Sequence, residues 1–137
     1  MKTRFILFFV ILISLGGCCE KAEPDPTKPD YNAEYYIRYE FKAVSSDPSR
    51  RADCQVNYID ENGNKVDIDY YNINTLDYTI VRGPYKYGDT IETQLICGWC
   101  FMEASLEIFI SKNNSPFISK KKETSSRFCY ITYRIGK

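Results

Sequence analysis

The chain has 137 residues, with 18 basic against 18 acidic side chains and no histidine. This is one domain's worth of material, too short for a multi-domain enzyme. Without histidine the usual general base, the commonest metal ligand and the partner in Ser/His or Cys/His nucleophile pairs are missing, and a balanced charge offers no electrostatic footprint for nucleic acid.

Lys2 and Arg4 precede an unbroken apolar run from Phe5 to Ile13, and Ser14-Leu15-Gly16-Gly17-Cys18 follows. A basic start, a short apolar centre and small residues before a cut describe a secretory signal over residues 1–17. The run is about half of the roughly 20 residues a membrane-spanning helix needs. Leu15-Gly16-Gly17-Cys18 resembles the bacterial lipobox, which implies cleavage before Cys18 and lipidation of that residue. Cys19 fits less well, because that register sets Gly16 where the motif has a branched apolar residue. Cleavage would leave 16 basic against 18 acidic side chains, a net of −2. Each buried methylene stabilises membrane association by about 0.8 kcal/mol, so several acyl chains would hold the protein firmly.

Residues 18–34 are expected to form an extended tether. Glu20 to Asp30 contains three prolines and no large apolar residue, and at about 3.1 Å per residue it would hold a domain roughly 35 Å from the lipid. The acidic residues after Cys18 also resemble the export signal of Bacteroidota-type surface lipoproteins. The expected location is therefore the outer membrane, on its periplasmic or its external side.

From Tyr35 onward polarity alternates. Tyr35, Ile37, Tyr39, Phe41 and Ala43 share one face, and Arg38, Glu40 and Lys42 take the other; period two predicts a half-buried strand. Cys54, Val56 and Tyr58 repeat the pattern, Asp60-Glu61-Asn62-Gly63-Asn64 supplies a turn, and Val66, Ile68 and Tyr70 return as a hairpin. Tyr78 to Arg82, ended by Gly83-Pro84, and Thr90 to Cys97 are further strands. Met102, Ala104, Leu106, Ile108 and Ile110 form the longest inward series. A turn at Lys112–Pro116, a brief edge strand from Phe117 to Lys120 and a closing strand from Phe128 to Ile135 complete the domain, 35–137. Lys120-Lys121-Lys122 before Glu123 reads as a solvated loop. Seven or eight short strands without a helix predict an all-β antiparallel sandwich, immunoglobulin- or transthyretin-like, with a small closed barrel as the alternative.

Tyr35-Tyr36-Ile37-Arg38-Tyr39-Glu40, Val56-Asn57-Tyr58-Ile59-Asp60-Glu61-Asn62-Gly63, Gly83-Pro84-Tyr85-Lys86-Tyr87-Gly88 and Ile110 to Phe117 resemble segments of small Bacteroidota lipoproteins across nearly the whole domain. More distantly, the strand order and the Val-x-Tyr-x-Asp-x-x-Gly hairpin are similar to the MmpS transport-accessory family, small β-sandwiches that work beside membrane transporters. No stretch is a catalytic motif, so the resemblance implies fold and location. Cys97 and Cys100 stand outside it.

Strand parity turns Cys54, Cys97, Cys100 and Cys129 toward the core, and an exported chain meets an oxidising compartment. Four cysteines allow three connectivities. The favoured reading pairs Cys97 with Cys100 and Cys54 with Cys129, while Cys54 and Cys129 as plain buried thiols stays open. Cys97-Gly98-Trp99-Cys100 fits a two-residue hairpin with Gly98 leading a type II′ turn and the cysteines opposed about 5.5 Å apart. That short bridge would be worth only about 2 kcal/mol, against about 4 for the long one. The same spacing resembles a thioredoxin-like redox site, which wants its thiolate at a helix amino terminus; here the flanks alternate as strands. A zinc site is disfavoured by the lack of histidine.

Asp60, Glu61, Asp67 and Asp69 gather at one hairpin but miss the calcium-loop spacing. Tyr39, Tyr58 and Tyr133 have inward parity; Tyr36, Tyr71, Tyr85, Tyr87 and Trp99 are expected outside, and Trp99, Tyr85 and Tyr87 are the candidate ligand-binding residues. The sequence thus predicts a lipid-anchored, non-enzymatic binding or accessory module without metal or cofactor, meeting the membrane through its anchor and an envelope protein or glycan through its surface. A thiol-disulfide oxidoreductase and a glycan-binding lipoprotein are the alternatives.

Overall fold

The computed structural model describes residues 28–136; the signal at 1–17, the lipidation site Cys18 and the first part of the tether lie outside the described residues. Eight strands follow one another: β1 (Tyr35–Ser45), β2 (Ala52–Ile59), β3 (Lys65–Ile73), β4 (Thr75–Tyr85), β5 (Thr90–Cys97), β6 (Phe101–Lys112), β7 (Ile118–Ser125) and β8 (Phe128–Arg134). They form two four-stranded sheets ordered β4-β1-β6-β7 and β3-β2-β5-β8, and every neighbouring pair is antiparallel. The expected all-β sandwich is the observed architecture.

Alternation decides which side chains meet between the sheets. Ile37, Tyr39, Phe41 and Ala43 of β1 and Ala104, Leu106 and Ile108 of β6 are buried from one side; Val56, Tyr58, Ile91, Leu95, Cys129 and Ile131 are buried from the other. The Tyr39 and Tyr58 rings stack across the interface at 5.5 Å between centroids, and Phe41 stacks on Tyr78 at 6.0 Å. A buried phenol must place its hydroxyl. Tyr39 shares a 3.1 Å hydrogen bond with the Tyr85 hydroxyl, Tyr85 donates to the Ile59 carbonyl at 2.9 Å, and Arg82 donates to the Tyr58 hydroxyl at 2.9 Å.

Three elements differ from expectation. β4 continues through Gly83-Pro84 to Tyr85, with a cis bond between those residues and a register shift in its pairing with β1 between Tyr35 and Ile37. A Cβ at Gly83 would lie 2.7 Å from the Tyr35 carbonyl oxygen, so only glycine lets the two backbones approach there. In β6 a bulge opposite Val44/Ser45 makes Met102 the extra residue: Phe101 turns inward and Met102, expected in the core, is 69% exposed. Lys120-Lys121-Lys122 is not a loop but part of β7, an outermost strand that pairs only with β6. Lysines on an open edge deter further strand pairing, and Lys122 lies 3.9 Å from Glu107 of β6.

The strand directions give the sandwich two ends. At one, called the base, the chain reaches β1. Asp30 bridges to Lys112 at 3.0 Å, Asn113 donates its backbone N–H to the Glu34 carbonyl at 2.8 Å, and Tyr31 packs edge-on against Tyr87. The opposite end, the tip, carries the β1–β2 loop, the β5–β6 connection and the β7–β8 turn, tied by Ser45 N–H to Asn74 O at 2.9 Å and Cys97 N–H to Arg127 O at 2.7 Å. The eleven residues of β1 separate base from tip by about 33 Å.

The hydroxyl relay ranks two conservative changes. Tyr85→Phe removes the acceptor of a fully buried Tyr39 hydroxyl and the donor to Ile59, and is expected to cost about 1–3 kcal/mol of unfolding free energy; Tyr39→Phe leaves the Tyr85–Ile59 bond intact and should cost about 1 kcal/mol. Urea unfolding of the two variants checks the order. Burial pushes Tyr85 up from 10.0 to about 12, and raises Tyr39 as well. A raised phenol favours the folded state below its unfolded pKa and stops doing so as pH climbs through the folded value. Stability should therefore be level with respect to these groups below pH 10 and fall between 10 and about 12, read by unfolding titrations alongside phenolate absorbance.

Candidate functional site

Chemistry and exposed aromatic surface converge at the tip. Cys54 enters from β2, Cys97 from β5, Cys129 from β8 and Cys100 from the β5–β6 connection; all four are buried thiols, as parity predicts. The connection itself is not the expected hairpin. β5 belongs to one sheet and β6 to the other, so Cys97-Gly98-Trp99-Cys100 carries the chain across the sandwich in a turn closed by Phe101 N–H to Gly98 O at 3.2 Å. Gly98 is not in the left-handed region that a type II′ turn requires of it. Its small size is used differently: a Cβ there would sit 2.5 Å from the Ala52 Cβ.

This topology rearranges the cysteines. Cys54 and Cys97 are direct cross-strand partners, and their sulfurs share a hydrogen bond at 3.0 Å. Cys54 and Cys129, expected as a pair, sit on strands with β5 between them. Two strand spacings amount to about 10 Å, beyond the about 7 Å that a disulfide spans between Cα atoms. Cys129 instead directs its thiol to the Ala104 carbonyl of the facing sheet at 3.3 Å. Cys97 and Cys100, expected to oppose each other across a hairpin, do not, because β5 and β6 lie in different sheets; the Cys100 carbonyl accepts from the Ser45 hydroxyl at 3.1 Å and the Ser46 N–H at 3.2 Å, which fastens the crossover to the β1–β2 loop. Within the Cys54–Cys97 pair the Cys97 thiol holds Cys54 below the ordinary thiol range despite burial, and the same hydrogen bond, with burial, pushes Cys97 up.

Trp99 rises from this crossover with 66% of its surface exposed, and the Arg50 guanidinium stands 5.5 Å from its ring centroid, a cation–π contact that restrains an otherwise free side chain. Met102 and Val44, on either side of the bulge, are exposed beside it in the chain and the register. A groove of about 350 Å³ is lined by Gly98, Tyr71, Ile96, Gln55 and Asp69 among others. The other two aromatic candidates behave differently. Tyr85 is only 4% exposed, its ring packed in the core and its hydroxyl committed to Tyr39 and Ile59; placing it outside was wrong because the strand runs through Gly83-Pro84 rather than ending there. Tyr87 is half-buried at the base, against Tyr31. Trp99 is thus separated from both by the length of the sandwich.

Three of the four acidic hairpin residues, Asp60, Asp67 and Asp69, are spent on local structure. Asp60 Oδ1 accepts from the Asn62 and Asn64 N–H groups at 2.9 and 2.8 Å, Asp67 pairs with Lys65 at 2.9 Å and with Asn57, and Asp69 accepts from Gln55 at 2.9 Å. Among the described residues no group of three or more Cys, Asp or Glu is arranged to hold a metal ion. Sequence reasoning missed Met102, Val44 and Arg50 as tip residues; the only signal was that each lies next to a loop. In class the chain is an eight-stranded, two-sheet antiparallel sandwich with a cysteine-lined, aromatic tip. Compared with known proteins, no family, curated protein or solved structure matches it.

The contact between Gly98 and Ala52 gives a paired test. Gly98→Ala is expected to destabilise the domain by about 1–3 kcal/mol through overpacking, and adding Ala52→Gly should return part of that loss. Thermal denaturation of the single and double variants reads it.

Proposed function

We propose that this protein is a lipid-anchored, non-enzymatic module of the cell envelope that binds a protein partner through its tip. The supporting observation is the opposition of the two ends. Residues 28–34, which lie C-terminal to the lipobox-like Leu15-Gly16-Gly17-Cys18 in the sequence, are at the base, whereas Trp99, Met102 and Val44 are exposed about 33 Å away at the tip. An anchor at Cys18 would therefore present the exposed aromatic and apolar side chains away from its own lipid surface.

The chemistry of the tip favours recognition over reaction. Trp, Met and Arg are the side chains enriched where protein partners dock, and Trp99 with Arg50 and Met102 supplies one of each. The thiols are buried on strands and on a turn, without the exposed thiolate at a helix terminus that thiol-exchange catalysis uses. The glycan reading retains Trp99 but loses Tyr85 to the core.

Measurements on the anchor and on the tip test the proposal. Mass spectrometry of the mature protein is expected to find acyl groups on Cys18, and Cys18→Ala should release the protein from the membrane fraction. A photo-crosslinking side chain introduced at position 99 or 102 in intact cells should yield a discrete adduct that the same probe at Lys121 does not. Trp99→Ala should weaken the captured complex about tenfold or more while leaving the melting temperature nearly unchanged, because Trp99 carries contact surface and little of the core. Equal labelling from every position would refute tip recognition, and adducts to glycan instead of protein would favour the alternative.

A further inference from the structure

We propose that Cys54 and Cys97 are the disulfide-forming pair of this domain, a covalent rung between β2 and β5 made by exchange with a small-molecule or protein disulfide. Gly98 donates its N–H to the Asp53 carbonyl at 2.9 Å, while the Cys97 N–H turns away from β2 toward Arg127 O. Cys54 and Cys97 therefore face each other at a non-hydrogen-bonded site of the antiparallel ladder. Cα atoms at such sites lie about 4.5 Å apart with their side chains drawn together, inside the range of about 4.4–6.8 Å that disulfides occupy. The sulfurs already touch at 3.0 Å, so closing the bond asks for movement of side chains and not of strands. The alternatives are placed less well: Cys129 is two strands from Cys54, and on β8 it stands opposite Leu95 rather than Cys97 with its thiol on the Ala104 carbonyl, while Cys100 belongs to the crossover and not to the ladder.

The exchange proceeds in two steps. The Cys54 thiol, losing its proton to solvent, attacks one sulfur of the oxidant disulfide, forms a mixed disulfide and expels one oxidant thiolate. The Cys97 thiol, also deprotonated, then attacks the Cys54 sulfur, forms the Cys54–Cys97 bond and expels the second. Two protein thiols are oxidised, one oxidant disulfide is reduced to two thiols, and the two protons end on the expelled thiolates. Because both sulfurs are buried in the finished sandwich, the oxidant meets them while the sheets are still open. The rung is thus set once during folding and is not turned over, which separates it from the redox catalysis weighed above for Cys97 and Cys100.

The test uses the full chain, reduced and unfolded in urea, then refolded in a mixture of reduced and oxidised glutathione. Remaining thiols are blocked with iodoacetamide, and the protein is digested with trypsin and with chymotrypsin, whose cut after Trp99 separates Cys97 from Cys100. Mass spectrometry is expected to find peptides joined through Cys54 and Cys97, with Cys100 and Cys129 alkylated. The link should persist in Cys129→Ala and Cys100→Ala and vanish in Cys97→Ala. The oxidised wild-type domain should melt on the order of 10 °C above its reduced form. Alkylation of Cys54, Cys97, Cys100 and Cys129 together, or peptides that join any of these four in another pairing, would overturn the assignment. Because refolding is done in solution, the result is independent of whether Cys18 carries lipid.

Discussion

The fold depends on a column of aromatic rings that has to be both dry and satisfied. Tyr39 and Tyr58 stack face to face between the sheets, so each sheet supplies a ring that the other needs. Their hydroxyls cannot be left alone in that interior, because an orphaned buried polar group costs about 1–3 kcal/mol. Tyr85 and Arg82, both on β4, meet the need. Strand β4 is therefore held to the sandwich by ladder bonds to β1 and by its reach across the core to Tyr58 and to the Ile59 carbonyl of β2. A one-residue slip of β4 would reverse its faces and leave the Tyr39 and Tyr58 hydroxyls and the Ile59 carbonyl without these partners at once.

This constraint also explains what was legible in the chain and what was not. Period-two alternation marks inside and outside wherever a strand is regular, which is why Cys54, Cys97 and Cys129, with Tyr39 and Tyr58, are legible as core; Cys100 is buried too, but on the turn of the crossover rather than on a regular strand. Alternation fails where the backbone adds a residue. The bulge at Met102 exchanges the faces of Phe101 and Met102, and no side chain advertises it. Gly83-Pro84 reads locally as a stop signal, yet the tight approach to Tyr35 turns it into strand and brings Tyr85 inside. Three consecutive lysines look like a loop until β7 proves to be an edge strand, where both solvent and pairing coexist. Sheet order is the least legible property, because the pairing of β2 with β5 joins residues far apart in sequence. The cysteine pairings expected from local geometry could not anticipate it.

The two ends of the sandwich divide its work. The base is built from backbone and ionic ties between the incoming chain, the β6–β7 turn and the last residues, including Asp30–Lys112 and Asn113–Glu34. The tip is built from a crossover packed so closely that Gly98 has no room for a methyl group. Rigidity under Trp99 is useful for recognition, since an anchor residue that is already positioned loses less freedom on binding. The buried cysteines lie directly beneath that crossover, so fastening β2 to β5 at Cys54 and Cys97 would secure the platform on which Trp99 stands.

The lysine-bearing edge strand has a consequence for how copies of this domain share space. An open sandwich exposes unpaired amides along its outermost strands, and crowding on a surface raises the chance that neighbours zip together into a growing ribbon. Lys120, Lys121 and Lys122 place a fence of like charge along β7. Two such fences repel when brought edge to edge, so a dense film of the protein would remain a collection of separate particles, each free to turn.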